Sequence, residues 1–227
     1  MIVSINQPAY LPWLGYFDRI AQSDIHIVLD HVQFEKNSNI NRNKIRTFNS
    51  WSWLTVPIKT KSKYGNLCIN NLEIDNSYLW KKKHLRSIEQ NYSKTSFFLE
   101  HINFFEKVYN KDWFQLAPLI YEINTYILNT LNVKTKIIKS SDLKPTSKKS
   151  DLILELCKLV DAKKYISGPF GREYLDEISF HREGIKIVYH EYSHPTYKQY
   201  KSDFLPNMSV IDLLFNEGND SLNILKS

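Results

Sequence analysis

An apolar segment from Met1 to Ile5 runs almost directly into Gln7-Pro8-Ala9-Tyr10-Leu11-Pro12-Trp13-Leu14-Gly15-Tyr16-Phe17-Asp18, and this junction constrains the fold more than any other stretch. Two prolines, a glycine and four aromatics fall where a first strand must hand over to a first helix. Pro8 and Pro12 fix their own φ and bias Gln7 and Leu11 toward extended backbone, so a rigid turn is expected. Rigid loops at strand ends commonly carry chemistry. For this loop alone, a packed corner whose aromatics are simply core is an equally good explanation.

Ile2 to Ile5 and Ile25 to Leu29 read as short buried strands, because each is apolar, β-branched and bounded by polar or turn residues. Leu14 to Ala21 between them has room for about two helical turns. Strand, helix, strand is the start of an α/β layout. Trp51 to Ile58 reads as a third strand with Pro57 at an edge or end, and Leu67 to Ile74 as a fourth. From about Ser77 to Leu131 the apolar residues recur at helical spacing, as in Phe97, Phe98, His101, Ile102, Phe105 and Val108, which predicts three helices there. Val133 to Ile138 returns to strand. Ser140-Ser141-Asp142 with Pro145 and Ser147 reads as a polar loop, Lys149 to Val160 as a helix, Tyr165 to Ser167 and Ile185 to Tyr189 as strands, and Ser209 to Phe215 as a short helix. The expected organisation is one domain over 1–227 with a helical insert at about 77–131.

With 227 residues, 42% apolar and 14% aromatic content, the chain can bury a full core. Its 30 Lys and Arg against 24 Asp and Glu give +6, spread along the sequence, with Lys81-Lys82-Lys83 the densest run. That balance fits phosphate-bearing small molecules, an acidic membrane surface or nucleic acid without choosing among them. No RNP-like pattern supports nucleic acid. Cys68 and Cys157 form neither a CxxC nor a Cys/His spacing, so no disulfide framework or metal site is expected. No apolar stretch approaches about 18 residues and no basic leader precedes one, which excludes a membrane span and predicts a cytoplasmic protein.

Three polar clusters follow predicted strands. In Asp30-His31-Val32-Gln33-Phe34-Glu35-Lys36 and Asn41-Arg42-Asn43, the side chains of Asp30, Gln33, Lys36, Asn41, Arg42 and Asn43 are unusually dense for a loop. An ordinary solvent-facing turn would also account for Asn41-Arg42-Asn43. Gly168-Pro169-Phe170-Gly171-Arg172 offers close backbone approach and a planar donor suited to phosphate or carboxylate, although a Gly-Pro turn with a surface Arg fits it too. Neither GxxxxGK[ST] nor GxGxxG is present. His194-Pro195-Thr196-Tyr197 holds the histidine best placed to act as a general base, with Asp203 or Asp212 expected to orient it. Open α/β sheets bind ligands beyond the carboxyl ends of their strands, so the prolyl turn, the Asn-Arg-Asn bend and the Gly-Pro turn are expected to line one hollow.

Taken in order, Gln7-Pro8, Leu11-Pro12-Trp13-Leu14-Gly15-Tyr16-Phe17, Asp30 with Val32-Gln33-Phe34, Asn41-Arg42-Asn43, Trp53-Leu54-Thr55-Val56-Pro57, Gly168-Pro169 with Gly171-Arg172, and His194-Pro195-Thr196-Tyr197 resemble the WbqC-like family across nearly the whole chain. The chain departs from that family's pattern at Asn6, where many members carry His, at Ile40, where an aromatic is common, and at Phe170, where a small residue is usual. The resemblance implies a cytosolic step on a sugar precursor of bacterial surface polysaccharide. A looser similarity, to the nucleotidyl-transferring HIGH superfamily, lacks both signature histidines in Pro12-Trp13-Leu14-Gly15-Tyr16. It implies a mostly parallel, doubly wound, Rossmann-like sheet and leaves function open.

The expected activity is transfer of an acyl or aminoacyl group to the amine of a nucleotide-linked amino sugar. His194 or Asp30 would take the amine proton, Arg42 and Arg172 would bind phosphate, and Trp13 and Tyr16 would stack on sugar or base. Gln7, Gln33, Lys36, Asn41, Asn43, Gly168, Gly171 and Tyr197 complete the expected binding set. The expectation names no certain cofactor beyond an acyl or aminoacyl donor, and leaves open metal assistance and homo-oligomerisation. The alternative is a non-catalytic ligand-binding or scaffold protein of a glycan assembly complex, whose aromatics mark a partner surface.

Overall fold

A computed structural model describes residues 1–60, 67–200 and 203–227. Seven strands are present among them: β1 (Ile2–Asn6), β2 (Ile25–Val28), β3 (Arg42–Arg46), β4 (Trp51–Thr55), β5 (Lys136–Lys139), β6 (Lys164–Ser167) and β7 (Lys186–Tyr189). The main helices are α1 (Leu14–Ala21), α2 (Trp80–Tyr92), α3 (Phe98–Asn110), α4 (Leu116–Thr130), α5 (Ser140–Leu143), α6 (Lys149–Leu159), α7 (Glu177–Arg182), α8 (Val210–Glu217) and α9 (Ser221–Leu225).

Five strands form one sheet in the order β5-β2-β1-β6-β7, every pair parallel. Counted within the sheet alone, that order is 3-2-1-4-5, the Rossmann-like arrangement. The chain builds outward from β1 through β2 to β5, then returns to lay β6 and β7 against the other side of β1, so direction reverses between β1 and β6. Parallel strands with helices on both faces must be apolar on both, as the full burial of β2 reflects. Val3, Ile5, Ile25 and Ile27 pack on Leu152, Leu156 and Cys157 of α6 and Phe180 of α7. The larger core gathers α1 (Leu14, Phe17, Ile20), helices α2 to α4 and α8. Helix α8 is buried almost all round and starts at Ser209, whose Oγ accepts from the Ile211 N–H. Among the described residues, no helix is long and apolar enough to cross a membrane.

The structure corrects four sequence-based expectations. Arg42–Arg46 is a strand, not a loop, and pairs antiparallel with Trp51–Thr55 as a separate hairpin outside the main sheet. Leu67 to Ile74 is not a strand. It makes isolated bridges from Cys68 to Gln33 and from Ile74 to Ile58, with a 3-10 turn over Ile69–Asn71, and its buried apolar residues wedge beneath α4. Ser140–Leu143 is a short helix. Leu11 lies in the left-handed region, at φ 47, and not in the extended conformation its following proline favours. The corner is clamped from two sides, because Asn43 Nδ2 donates to the Leu11 carbonyl at 2.6 Å and the Val210 N–H donates to the Pro12 carbonyl at 2.8 Å.

Candidate functional site

A cavity of about 510 Å³ sits above the carboxyl ends of β1, β6 and β7, at the point where strand order reverses. Asn6 at the end of β1, Gly168, Pro169 and Gly171 after β6, and His190 after β7 form its floor and sides. Trp13 and Gly15 enter from the prolyl corner, and Phe170, Tyr174 and Tyr192 supply aromatic walls. His194 and Asn207 close it.

Arg19 reaches this cavity from α1. It is 6% exposed, takes part in no ion pair among the described residues, and its Nε has no hydrogen-bond partner there. Burial pulls its pKa below the ordinary arginine value, against the pull of Tyr165, Tyr16 and Tyr174. A Cβ added at Gly168 would lie 2.6 Å from Arg19 Nη1, so the guanidinium lies against this backbone in a position that a side chain there would displace. A buried cation without a carboxylate is an expensive arrangement unless an anion completes it.

Two histidines flank the guanidinium's cavity. His194 is half-buried, and its Nδ1 donates to the Pro195 carbonyl at 2.8 Å. A carbonyl can only accept, so the proton is on Nδ1 and Nε2, which has no partner among the described residues, keeps its lone pair. Burial pushes the His194 pKa down, with the Pro195 hydrogen bond opposing. The orienting group is therefore Pro195, not an aspartate. Asp212 is committed to Tyr197 Oη at 2.7 Å and Gln199 Nε2 at 2.8 Å, while the Asp203 carbonyl accepts from Arg46. Burial raises the Asp212 pKa, and its bonds to Tyr197, Tyr92 and Gln199 oppose the rise. His190 Nε2 donates to Asp18 Oδ2 at 2.6 Å, and its ring stacks on Tyr192. Asp18 also accepts from Gln22 Nε2 at 2.6 Å.

The sequence-predicted residues divide among several places. Trp13, Gly168, Gly171 and His194 come together around the switch-point cavity. Lys36, Asn41 and Arg42 line a different, open cavity of about 790 Å³ beside Thr55 and Pro57, so the Asn-Arg-Asn segment does not share the hollow of the other two turns. There Arg42 donates to the Asn37 carbonyl at 2.7 Å and lies over the Trp53 ring, and Asn41 Nδ2 donates to the Val56 carbonyl. Tyr16 faces a third cavity. Asp30 is buried and accepts four hydrogen bonds, from Ser140 Oγ, Ser141 N, Ser141 Oγ and Tyr121 Oη, which ties the end of β2 to α5 and α4. Asn43 and Tyr197 are likewise buried in structural bonds. Gln7 is half-buried and lies outside the lining of the switch-point cavity. Gln33 is exposed, and Arg172 pairs with Glu191 at 2.8 Å over the Tyr189 ring.

Sequence reasoning passed over Arg19, Asp18 and His190. The available signals were two charged residues inside a helix too apolar to be a surface one, and a histidine immediately after a strand. Among the described residues, no group of three or more His, Cys, Asp or Glu is placed to hold a metal ion.

Comparison with known proteins covers the whole of this architecture. The WbqC-like protein family profile matches residues 7–224. A Mycobacterium tuberculosis (strain ATCC 25618 / H37Rv) protein, Rv1507c, described as uncharacterized, is 34% identical over 226 residues, spanning 99% of this chain and 97% of its own length. No solved structure matches. The matched span runs through the prolyl corner, the hairpin and the switch-point cavity alike, and the chain belongs to the WbqC-like protein family.

Proposed function

We propose that the switch-point cavity binds a phosphorylated ligand through Arg19, and that the ligand is a nucleotide-linked amino sugar whose amine receives an acyl or aminoacyl group. The observation that carries this reading is the buried guanidinium beside Gly168, unneutralised among the described residues. A diphosphate would supply the missing charge and satisfy the open donors in a pocket where water screens little. Trp13, Tyr174 and Tyr192 offer flat faces for a base or sugar. Resemblance to a family associated with surface-polysaccharide gene clusters supports the choice of a sugar.

In the transfer step the neutral amine attacks the acyl carbon of an activated donor. The C–N bond forms, the bond from acyl carbon to leaving group breaks, the amine proton passes to His194 Nε2, and the imidazolium then returns it to the departing group. General-base assistance of this kind contributes about 10²- to 10⁴-fold. Asp30, saturated with hydrogen bonds away from this cavity, is left out of the step.

Calorimetric titration with uridine diphosphate tests the binding half. Wild type should bind it, and Arg19→Gln should weaken binding by about ten- to a hundredfold, the value of one charged hydrogen-bonding group. Absence of binding to wild type, or equal binding to both, overturns the reading. His194→Ala should then leave that affinity within about threefold while lowering turnover by about 10²-fold or more. A scaffold protein would show the first result without the second, with Trp51 and Trp53, 39% and 37% exposed on the hairpin, as its partner surface.

A further inference from the structure

The formal charge of +6, expected to be spread along the sequence, is concentrated in one segment. Residues 36–72 contain seven Lys and Arg and no Asp or Glu, which leaves 23 basic against 24 acidic residues in all the rest of the chain. Two of the seven, Lys61 and Lys63, lie outside the described residues. Arg46 is buried and donates to the Ser50 and Asp203 carbonyls, and Lys59 pairs with Glu73 at 3.4 Å. Lys36, Arg42 and Lys59 line one open cavity, and Lys44 follows Arg42 on the same side of β3.

The β3–β4 hairpin has two unlike faces. Strand alternation turns Asn43, Ile45 and Leu54 inward, where all three are buried, and sends Arg42, Lys44, Trp51, Trp53 and Thr55 outward. The pairing register sets Lys44 opposite Trp53. Lys44 Nζ lies 4.2 Å from the centre of the Trp51 ring and 5.3 Å from that of Trp53, and the Arg42 guanidinium lies 4.4 Å from the Trp53 centre. Cations and indoles therefore interleave. Neither Arg42 nor Lys44 has an acidic partner among the described residues. Phe48, in the connection between the two strands, is 73% exposed.

Nucleic acid, acidic glycan and lipid headgroups all pair with cations and aromatics. Bases and sugars bind by stacking on a flat ring. Here each indole is already covered by a cation of the hairpin itself, which a base or sugar would have to displace. A bilayer interface requires no such exchange. Indoles sit at the headgroup level with their cations in place, lysine and arginine meet lipid phosphates, and an apolar tip enters the acyl boundary.

We propose that the outer face of the β3–β4 hairpin is a docking surface for an anionic lipid bilayer, with Phe48, Trp51 and Trp53 entering the interface and Arg42 and Lys44 pairing with lipid phosphates. The inference is independent of the phosphate reading, since none of these residues lines the switch-point cavity.

Co-sedimentation of the full chain with vesicles tests it, taking phosphatidylglycerol and phosphatidylcholine in equal parts against phosphatidylcholine alone. Wild type should bind the anionic vesicles at least about tenfold more tightly, and less tightly as salt is raised. Arg42→Gln with Lys44→Gln should lower that affinity about thirtyfold, from about fivefold for each cation near the surface. Phe48→Ser, at the exposed tip, should lower it about fivefold or more with an unchanged circular dichroism spectrum. Vesicles with brominated acyl chains should quench tryptophan fluorescence, and Trp51→Phe with Trp53→Phe should remove most of that quenching. The inference is overturned by any of four results: no binding to anionic vesicles, equal binding to neutral ones, an affinity unmoved in both the charge variant and Phe48→Ser, or quenching that survives loss of both tryptophans. Binding of a random single-stranded oligonucleotide in place of vesicles assigns the face to nucleic acid and overturns it as well.

Discussion

Arg19 is held where the folded chain alone gives it no reward. Its guanidinium is 6% exposed, without an anionic partner among the described residues. Replacing a buried unpaired charge with an apolar residue of similar volume is commonly neutral or stabilising. Arg19→Met should therefore resist urea as well as wild type or better, by about 1 kcal/mol, while losing affinity for uridine diphosphate. Stability lost alongside affinity would mean that the guanidinium serves the fold. His194 gives a second residue-scale expectation. The neutral ring is the working form, and burial lowers its pKa from the ordinary histidine value of about 6.5. The acid limb of a kcat/KM profile should accordingly lie below pH of about 6.5 and disappear in His194→Ala.

The hairpin and the prolyl corner act as one element. Asn43 Nδ2 holds the strained Leu11 carbonyl, Asn43 Oδ1 accepts from the Lys44 N–H at 2.8 Å, and the Ser209 N–H donates to the Lys44 carbonyl. Asn43→Ala strands a buried carbonyl and removes the clamp on a left-handed leucine. It should lower stability by about 2 kcal/mol or more by urea denaturation, whereas Arg42→Ala, in the neighbouring open cavity, should leave uridine diphosphate affinity unchanged. The same segment shows where reading from sequence stops. β1, β2, β6 and β7 announce themselves by β-branched apolar runs. β3, spelled Arg-Asn-Lys-Ile-Arg, alternates around a single apolar residue, Ile45, and looks like a turn until Trp51–Thr55 pairs with it. Leu67 to Ile74 misleads in the other direction. Its buried Leu67, Ile69, Leu72 and Ile74 satisfy a strand's pattern while serving as an irregular wedge.

At the scale of the molecule, the α/β layout was legible because short apolar, β-branched runs alternate with helical spacing, whereas the parallel Rossmann-like sheet was implied by the looser similarity to the HIGH superfamily. The site was legible only in part, because the Gly-Pro turn and His194 follow strands visibly, whereas the Asp18–His190 pair joins residues 172 positions apart. That pairing depends on how α1 is rotated against β7, which local pattern does not encode. Whole-fold stability carries a pH signature of its own. Burial draws His26 to about 3 and His84 to about 4 in the folded state, against about 6.5 unfolded. Between those limits the unfolded chain binds more protons, so the stability from keeping these rings neutral is complete above pH of about 6.5. It is lost as pH falls toward 3 or 4, by up to about 1.4 kcal/mol per pH unit for each group. Urea midpoints at pH 7 and pH 5 should show the drop, and His26→Phe should make it shallower.

Helix α1 is, in effect, a party wall. With Gly15 and Arg19 showing to one chamber and Tyr16 and Ile20 to the other, any roll of this two-turn rod shrinks one room as it enlarges its neighbour. Were ligands to occupy both rooms and shift the rod, each would alter the other's tenure by the same factor.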